Sequence, residues 1–229
     1  MKNVAKLPIE SISPFTLLDY PDYTACILWF AGCNMKCQYC YNPEIVFSEG
    51  KLPYEAALDF LKTRQGLLDG VVMSGGECTT KHGFVEFVSE VKSLGFCIKV
   101  DTNGSAPWVL ESLIQNKLID YVALDFKAPP MKFKTVTKSK LFNRFERSMK
   151  LLFSTNTPFE VRTTFHADLL ELSDLKWMGN YLLEQGYEGN YYLQHFVNDT
   201  ATIADLRNNT VKIQDSQLGF DGLKVVIRN

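Results

Sequence analysis

Two regimes of apolar patterning alternate along this chain. Short, nearly continuous apolar runs fall at Ala25–Phe30, Gly70–Ser74, Phe96–Asp101, Tyr121–Asp125, Phe159–Thr164 and Asn190–His195. Each is followed by polar or glycine-containing sequence, the pattern of strands covered on both faces. Helical spacing fills the intervals. Residues 53–68 open with Pro53 and set Ala57, Leu58, Leu61 and Leu67 on one face. Residues 84–94 repeat Phe84, Phe87, Val88, Val91 and Leu94 and stop before Gly95, a C-terminal cap signal. Residues 107–116, 140–154 and 173–186 complete the set. Strict alternation predicts an α/β fold with a parallel sheet and right-handed crossovers. Six βα units suit a partial, open (β/α)6 barrel of the TIM type, with a doubly wound open sheet as the alternative. No linker, composition break or internal repeat divides the chain. The expectation is therefore one domain over residues 1–229, with a core of about 20–200 and a C-terminal extension 200–229. Residues 128–140 read as a structure-poor basic loop carrying Lys132, Lys134, Lys138 and Lys140.

Composition narrows the class. With 229 residues, 46% of them hydrophobic and 22% charged, the chain can bury a full core and does not read as disordered. Lys and Arg number 24 against 26 Asp and Glu, a net charge of −2, so bulk electrostatics does not ask for a nucleic-acid partner. No apolar run approaches the ~20 residues of a membrane span. The opening Met1–Lys6 leads into mixed polar sequence rather than a signal peptide. No membrane association is expected, and the expected compartment is the cytoplasm.

Six cysteines occur, at 26, 33, 37, 40, 78 and 97. Among reduced thiols, three cysteines within eight residues read as metal ligands rather than disulfide partners. Cys33, Cys37 and Cys40 have the spacing C-x3-C-x2-C directly after the first apolar run. Thiolates select soft metals and iron–sulfur clusters. Structural zinc normally takes four ligands, often as two separated pairs. Here there is one trio, and His82, His166 and His195 are scattered. A zinc loop completed by Cys78 or a histidine stays open as an alternative. Three thiolates on a four-iron cluster would leave one iron for a substrate.

This motif, with Tyr39 as the aromatic before the last cysteine, resembles the signature of the radical S-adenosylmethionine (SAM) superfamily. The resemblance implies a [4Fe-4S] cluster on Cys33, Cys37 and Cys40, SAM chelated at the open iron, and Tyr39 near the adenine. Ser74-Gly75-Gly76-Glu77 resembles the family's GGE turn, where glycines allow a close approach of backbone to ligand. Asp101-Thr102-Asn103-Gly104 and Asp125-Phe126-Lys127 resemble the DTNG and D-x-K elements of glycyl-radical activating enzymes. By that resemblance, Asp101, Thr102 and Asp125 would hold a monovalent cation, and Lys127 would pair with the SAM carboxylate. Asn103, Arg162 and Gln194 are further candidate SAM contacts at strand ends. The blander readings are an Asx turn at Asp101–Gly104, a strand-end surface ion pair for Asp125 and Lys127, and a core-edge salt bridge for Arg162.

Within the superfamily, Ser13-Pro14-Phe15-Thr16-Leu17-Leu18-Asp19-Tyr20-Pro21 and the G-C-N-x-x-C-x-x-C-x-N-P-E loop resemble the activators of anaerobic ribonucleotide reductase. This implies reductive SAM cleavage, a glycyl radical enzyme as partner and a flavodoxin- or ferredoxin-type electron donor. Two positions depart from the usual pattern: Tyr41 stands where histidine is common, and Cys78 where proline is. The three remaining cysteines leave no second iron–sulfur domain. An open barrel suits an extended peptide substrate, with the lysines of 128–140 steering an acidic partner surface. The alternatives are a small-molecule enzyme resembling 7-carboxy-7-deazaguanine synthases and a non-catalytic metal-binding module.

Overall fold

All six apolar runs are strands in the computed structural model, which describes residues 7–228. The segment 1–6, read above for a targeting signal, lies outside the described residues. The strands are β2 (Ala25–Phe30), β3 (Gly70–Gly75), β4 (Cys97–Thr102), β5 (Tyr121–Asp125), β6 (Phe159–Phe165) and β7 (Tyr191–His195). Two more flank them: β1 (Ile9–Thr16) and β8 (Val225–Arg228). They form one eight-stranded sheet whose strand order equals chain order. β1 pairs with β2 antiparallel, while the β2–β3, β3–β4, β6–β7 and β7–β8 pairings are parallel. The α/β expectation of an open, mostly parallel sheet holds. A doubly wound sheet needs a reversal of strand order; there is none, so that alternative falls.

The helices are α1 (Pro43–Phe47), α2 (Tyr54–Lys62), α3 (Phe84–Ser93), α4 (Pro107–Gln115), α5 (Pro130–Thr137), α6 (Phe142–Phe153), α7 (Leu172–Glu184) and α8 (Asp215–Leu218). Two expectations need correction. The stretch 53–68 is helical only as far as Lys62, and Leu67 is exposed rather than on its buried face. The supposed loop 128–140 contains α5, which starts with Pro at its first turn and buries Phe133, Val136 and Thr137. Lys132 is not a free steering charge: its Nζ binds Asp174 at 2.6 Å and Glu171 at 3.1 Å. Among the described residues no helix is long and apolar enough to cross a membrane.

The chain packs as two compact units. One comprises the chain up to Asn34, Glu44–Thr102 and Trp108–Val122; the other comprises Met35–Pro43, Asn103–Pro107 and Ala123 onward. In the first, Phe30 meets Phe84 edge-on at 5.3 Å and Phe87 at 6.2 Å, joining β2 to α3. In the second, Phe126 packs on Phe145 at 4.8 Å and on Tyr181 at 6.1 Å, joining β5 to α6 and α7. Each such ring contributes about 1.5–3 kcal/mol by burial. The opposite strand face is not apolar throughout, as continuous apolar runs had suggested. Lys99 and Glu160 are buried within it, and these charges lead to the candidate site.

Candidate active site

Parallel register sets the strand ends level with one another. Trp29 pairs with Ser74 and Phe30 with Gly75, so the entry to the cysteine segment and the Gly-Gly turn leave the sheet together. The turn is then fastened by backbone. Gly76 N donates to Phe30 O at 2.8 Å and Glu77 N to Gly32 O at 3.0 Å. Gly75 has φ +116°, and a Cβ there would lie 2.3 Å from Phe30 N. A Cβ on Gly76 would lie 2.1 Å from Gly32 O and 3.2 Å from Cys33 N. Both glycines are thus required by the approach of the turn to the residues just before Cys33.

Glu77 turns its side chain inward. The buried carboxylate accepts from Thr102 Oγ1 at 2.7 Å and from Thr79 N at 3.3 Å, and its carbonyl accepts from Thr80 Oγ1 at 2.8 Å. Thr102 spends its hydroxyl on the first of these bonds. Asp101 receives Lys99 Nζ on Oδ1 at 2.7 Å and Ser74 Oγ on Oδ2 at 3.1 Å. Cys78 lies buried below the turn, its Sγ 3.5 Å from Met73 O and from Asp101 O. Burial pushes its thiol well above the ordinary range, with Glu77 and Asp101 adding to the effect. That is the chemistry of a small buried residue, not a reactive thiol.

The second unit holds the rest of the cysteine segment. Lys36 N and Gln38 N donate to Thr137 O and Val136 O, each at 2.9 Å, and Gln38 Nε2 to Thr135 O at 2.9 Å. These are the carbonyls a helix end leaves without intrahelical partners, so α5 is capped by the loop that carries Cys37 and Cys40. From the extension, Ile203 N donates to Cys40 O and Ala204 N to Gln38 O, both at 3.2 Å. Neither support was legible beforehand, since all but the Gln38 side-chain bond are made by backbone. Tyr39 is buried, its ring 5.9 Å from Lys127 Nζ, and burial raises its phenol well above the usual value.

Asp125 gathers cations. Its Oδ2 lies 3.3 Å from Lys127 Nζ, and its Oδ1 lies 3.0 Å from both Nε and Nη2 of Arg162. The strand-end ion pairs foreseen as the blander reading are therefore present, and they group three of the candidate residues. Asn103 is buried and its Oδ1 accepts Ser105 N at 3.0 Å, an Asx turn. Gln194 sits on β7 opposite Thr164 and Arg228. His166 bonds Arg207 O and the amide of Asp168, a satisfied structural histidine. Sequence reading missed Lys99, Glu160 and Arg228; the available signal was charge at alternate positions inside strand-like runs.

None of the six cysteines forms a disulfide. Among the described residues, no three His, Cys, Asp or Glu side chains converge on one ion. A cluster does not require that, because its thiolates bind separate irons. Three closely spaced thiols on a backbone-held segment fit such a cluster better than tetrahedral zinc.

A radical SAM superfamily model matches residues 27–169 of this sequence. The chain belongs to that superfamily. Its members use a [4Fe-4S] cluster and SAM. A Methanocaldococcus jannaschii protein whose name assigns it to the glycyl-radical enzyme activating enzymes is 34% identical over 75% of this chain and 73% of its own length. The pyruvate formate-lyase-activating enzyme of Clostridium pasteurianum is 30% identical over 52% of each. Among solved structures, Streptococcus suis SuiB bound to S-adenosylmethionine superposes with a TM-score of 0.66 at 13% identity, over 89% of this chain and 52% of that one. The chain thus spans about half the length of that structure; the likeness is one of fold.

Proposed function

We propose that this radical SAM enzyme activates a glycyl radical enzyme, anaerobic ribonucleoside-triphosphate reductase, in the reducing cytoplasm. The carrying observation is the 34% identity to the Methanocaldococcus protein named for such activation, over nearly three-quarters of both chains. Cys33, Cys37 and Cys40 would hold the [4Fe-4S] cluster, which would supply the electron for reductive cleavage of SAM to methionine and a 5′-deoxyadenosyl radical able to take hydrogen from a backbone glycine of the partner. That electron comes from a flavodoxin- or ferredoxin-type donor.

The protein's own residues bind and orient. Ser74, Gly75, Gly76 and the Glu77 backbone form a turn without obstructing side chains for the methionyl amino group. Lys127 and Arg162, already aligned on Asp125, meet the SAM carboxylate without a reorganisation cost at the moment of binding. Tyr39 and Gln194 lie along the adenosine, and Asn103 closes the strand-end turn beside it.

A second reading replaces the reductase with pyruvate formate-lyase, because relatives from Clostridium pasteurianum, Streptococcus mutans and Listeria monocytogenes carry that activator's name. Anaerobically reconstituted protein, SAM and reductant should be mixed with each partner and examined by electron paramagnetic resonance. A glycyl doublet on the reductase supports the proposal, and a doublet on the lyase alone moves it to the second reading. Turnover of a purine-like metabolite with no doublet on either removes both. In the same assay Cys33→Ala, Cys37→Ala and Cys40→Ala should each lose iron and SAM cleavage. Retention of both by any one of them would displace the ligand assignment.

A further inference from the structure

A string of charges in the second unit runs beyond the residues used above. Lys127 Nζ lies 3.3 Å from Asp125, and Asp125 lies 3.0 Å from Arg162. Arg162 Nη1 is 3.9 Å from Glu160 Oε1, and Glu160 Oε2 is 3.4 Å from Arg228 Nη2. The signs alternate along five residues from the end of β5, across β6, to β8. Both ends rest on aromatic rings: Lys127 near Tyr39, and the Arg228 guanidinium carbon 3.5 Å from the centroid of Tyr192. Register explains the alignment. Arg162 pairs with Tyr192, and Gln194 with Arg228, so the two-residue strand period puts Glu160, Arg162, Tyr192, Gln194 and Arg228 on one face.

In the string Arg162 stands between two carboxylates, Asp125 at 3.0 Å and Glu160 at 3.9 Å. Its most buried member is Glu160, with 3% of its side chain exposed, against 37% for Arg228. A carboxylate so deep is costly unless paired. Without Arg228, Glu160 would draw Arg162 across the 3.9 Å gap and away from Asp125. We infer that Arg228 is a positioning residue for SAM: by pairing with Glu160 it keeps Arg162 on Asp125, where a carboxylate ligand meets it. This rests on the radical SAM reading and gives the C-terminal strand a role in it.

The test is equilibrium binding of SAM to the reconstituted protein, with iron content and thermal midpoint measured alongside. Arg228→Met should weaken SAM binding about tenfold, within the coupling range of neighbours in one ion-pair network, with iron unchanged. Arg228→Lys should stay within about threefold, because it keeps the charge. Adding Glu160→Gln to Arg228→Met removes the carboxylate that competes for Arg162 and should return binding to the wild-type value. A role limited to strand pairing or to stacking on Tyr192 would show no such rescue. Wild-type affinity in Arg228→Met, or a double variant as weak as the single, overturns the inference while leaving the enzyme reading intact. If Arg228→Met does not fold, the folded double variant decides alone: wild-type affinity supports the inference and a tenfold loss overturns it. Wild-type protein that binds no SAM takes both readings down.

Discussion

β4 carries an aspartate one residue before its end and β5 ends in one, each with a lysine two residues away, and the two pairs differ in almost every respect but composition. Lys99 and Asp101 lie 2.7 Å apart with 2% and 12% of their side chains exposed. Lys127 and Asp125 lie 3.3 Å apart with 15% and 28% exposed. Lys99 precedes its partner inside a strand, where the two-residue period holds both side chains on one buried face. Lys127 follows its partner beyond the strand end, where water reaches. Ser74 further encloses the first pair, whereas the second shares its carboxylate with Arg162. The same two residue types thus build a fixed internal brace in one place and an exchangeable cation group in the other. Solvent access decides which, because a ligand can replace a partner only where it can arrive.

Four changes would break or sharpen that contrast. Lys99→Met should be the most damaging, because it strands Asp101 in a buried setting: a loss of about 3–5 kcal/mol in denaturant unfolding, largely recovered when Asp101→Leu is added. A loss below about 1 kcal/mol would mean the brace is as wet as its counterpart. Asp125→Asn comes next and acts on ligand binding, weakening SAM by about 2–3 kcal/mol with iron retained; unchanged affinity would reduce Asp125 to a surface ion-pair partner. Cys78→Ala, beneath Asp101, should cost about 1 kcal/mol of stability. Because its thiol is held protonated, Cys78 should resist alkylation at neutral pH in the native state; rapid labelling would contradict its burial. The smallest effect is the stability change in Lys127→Met, under about 1 kcal/mol, even as SAM affinity falls. Stability and affinity moving together would erase the distinction between the two pairs.

The parts of this molecule legible in its sequence were those written in local pattern. Six strands showed as apolar runs because their helix-facing side chains must be apolar. The cysteine spacing and the Gly-Gly turn were legible because few other residues could do what they do: bind soft metal, or let Gly76 lie against Gly32. β1 escaped notice because Ile9–Thr16 alternates weakly and leaves Phe15 exposed. α5 was mistaken for a loop because Pro129-Pro130 and four lysines outweighed Phe133 and Val136, whose i, i+3 spacing was the usable helical signal. The supports of the cysteine segment from residues 136–137 and 203–204 are backbone bonds and leave no residue preference to read. Glu160 and Arg228 were hidden by distance: 68 residues separate them.

That separation has a consequence in time. Since strand order equals chain order, each strand emerging during synthesis finds its neighbour already made, a favourable situation for folding as the chain grows. Glu160 is the exception. Its second arginine is translated 68 residues later, a wait of roughly 3–14 s at ribosomal rates. Until then β7 is an open sheet edge beside a half-satisfied carboxylate, the state in which a nascent chain is most exposed to wrong pairings. The arrival of β8 covers that edge and completes the charge pairing in the same step.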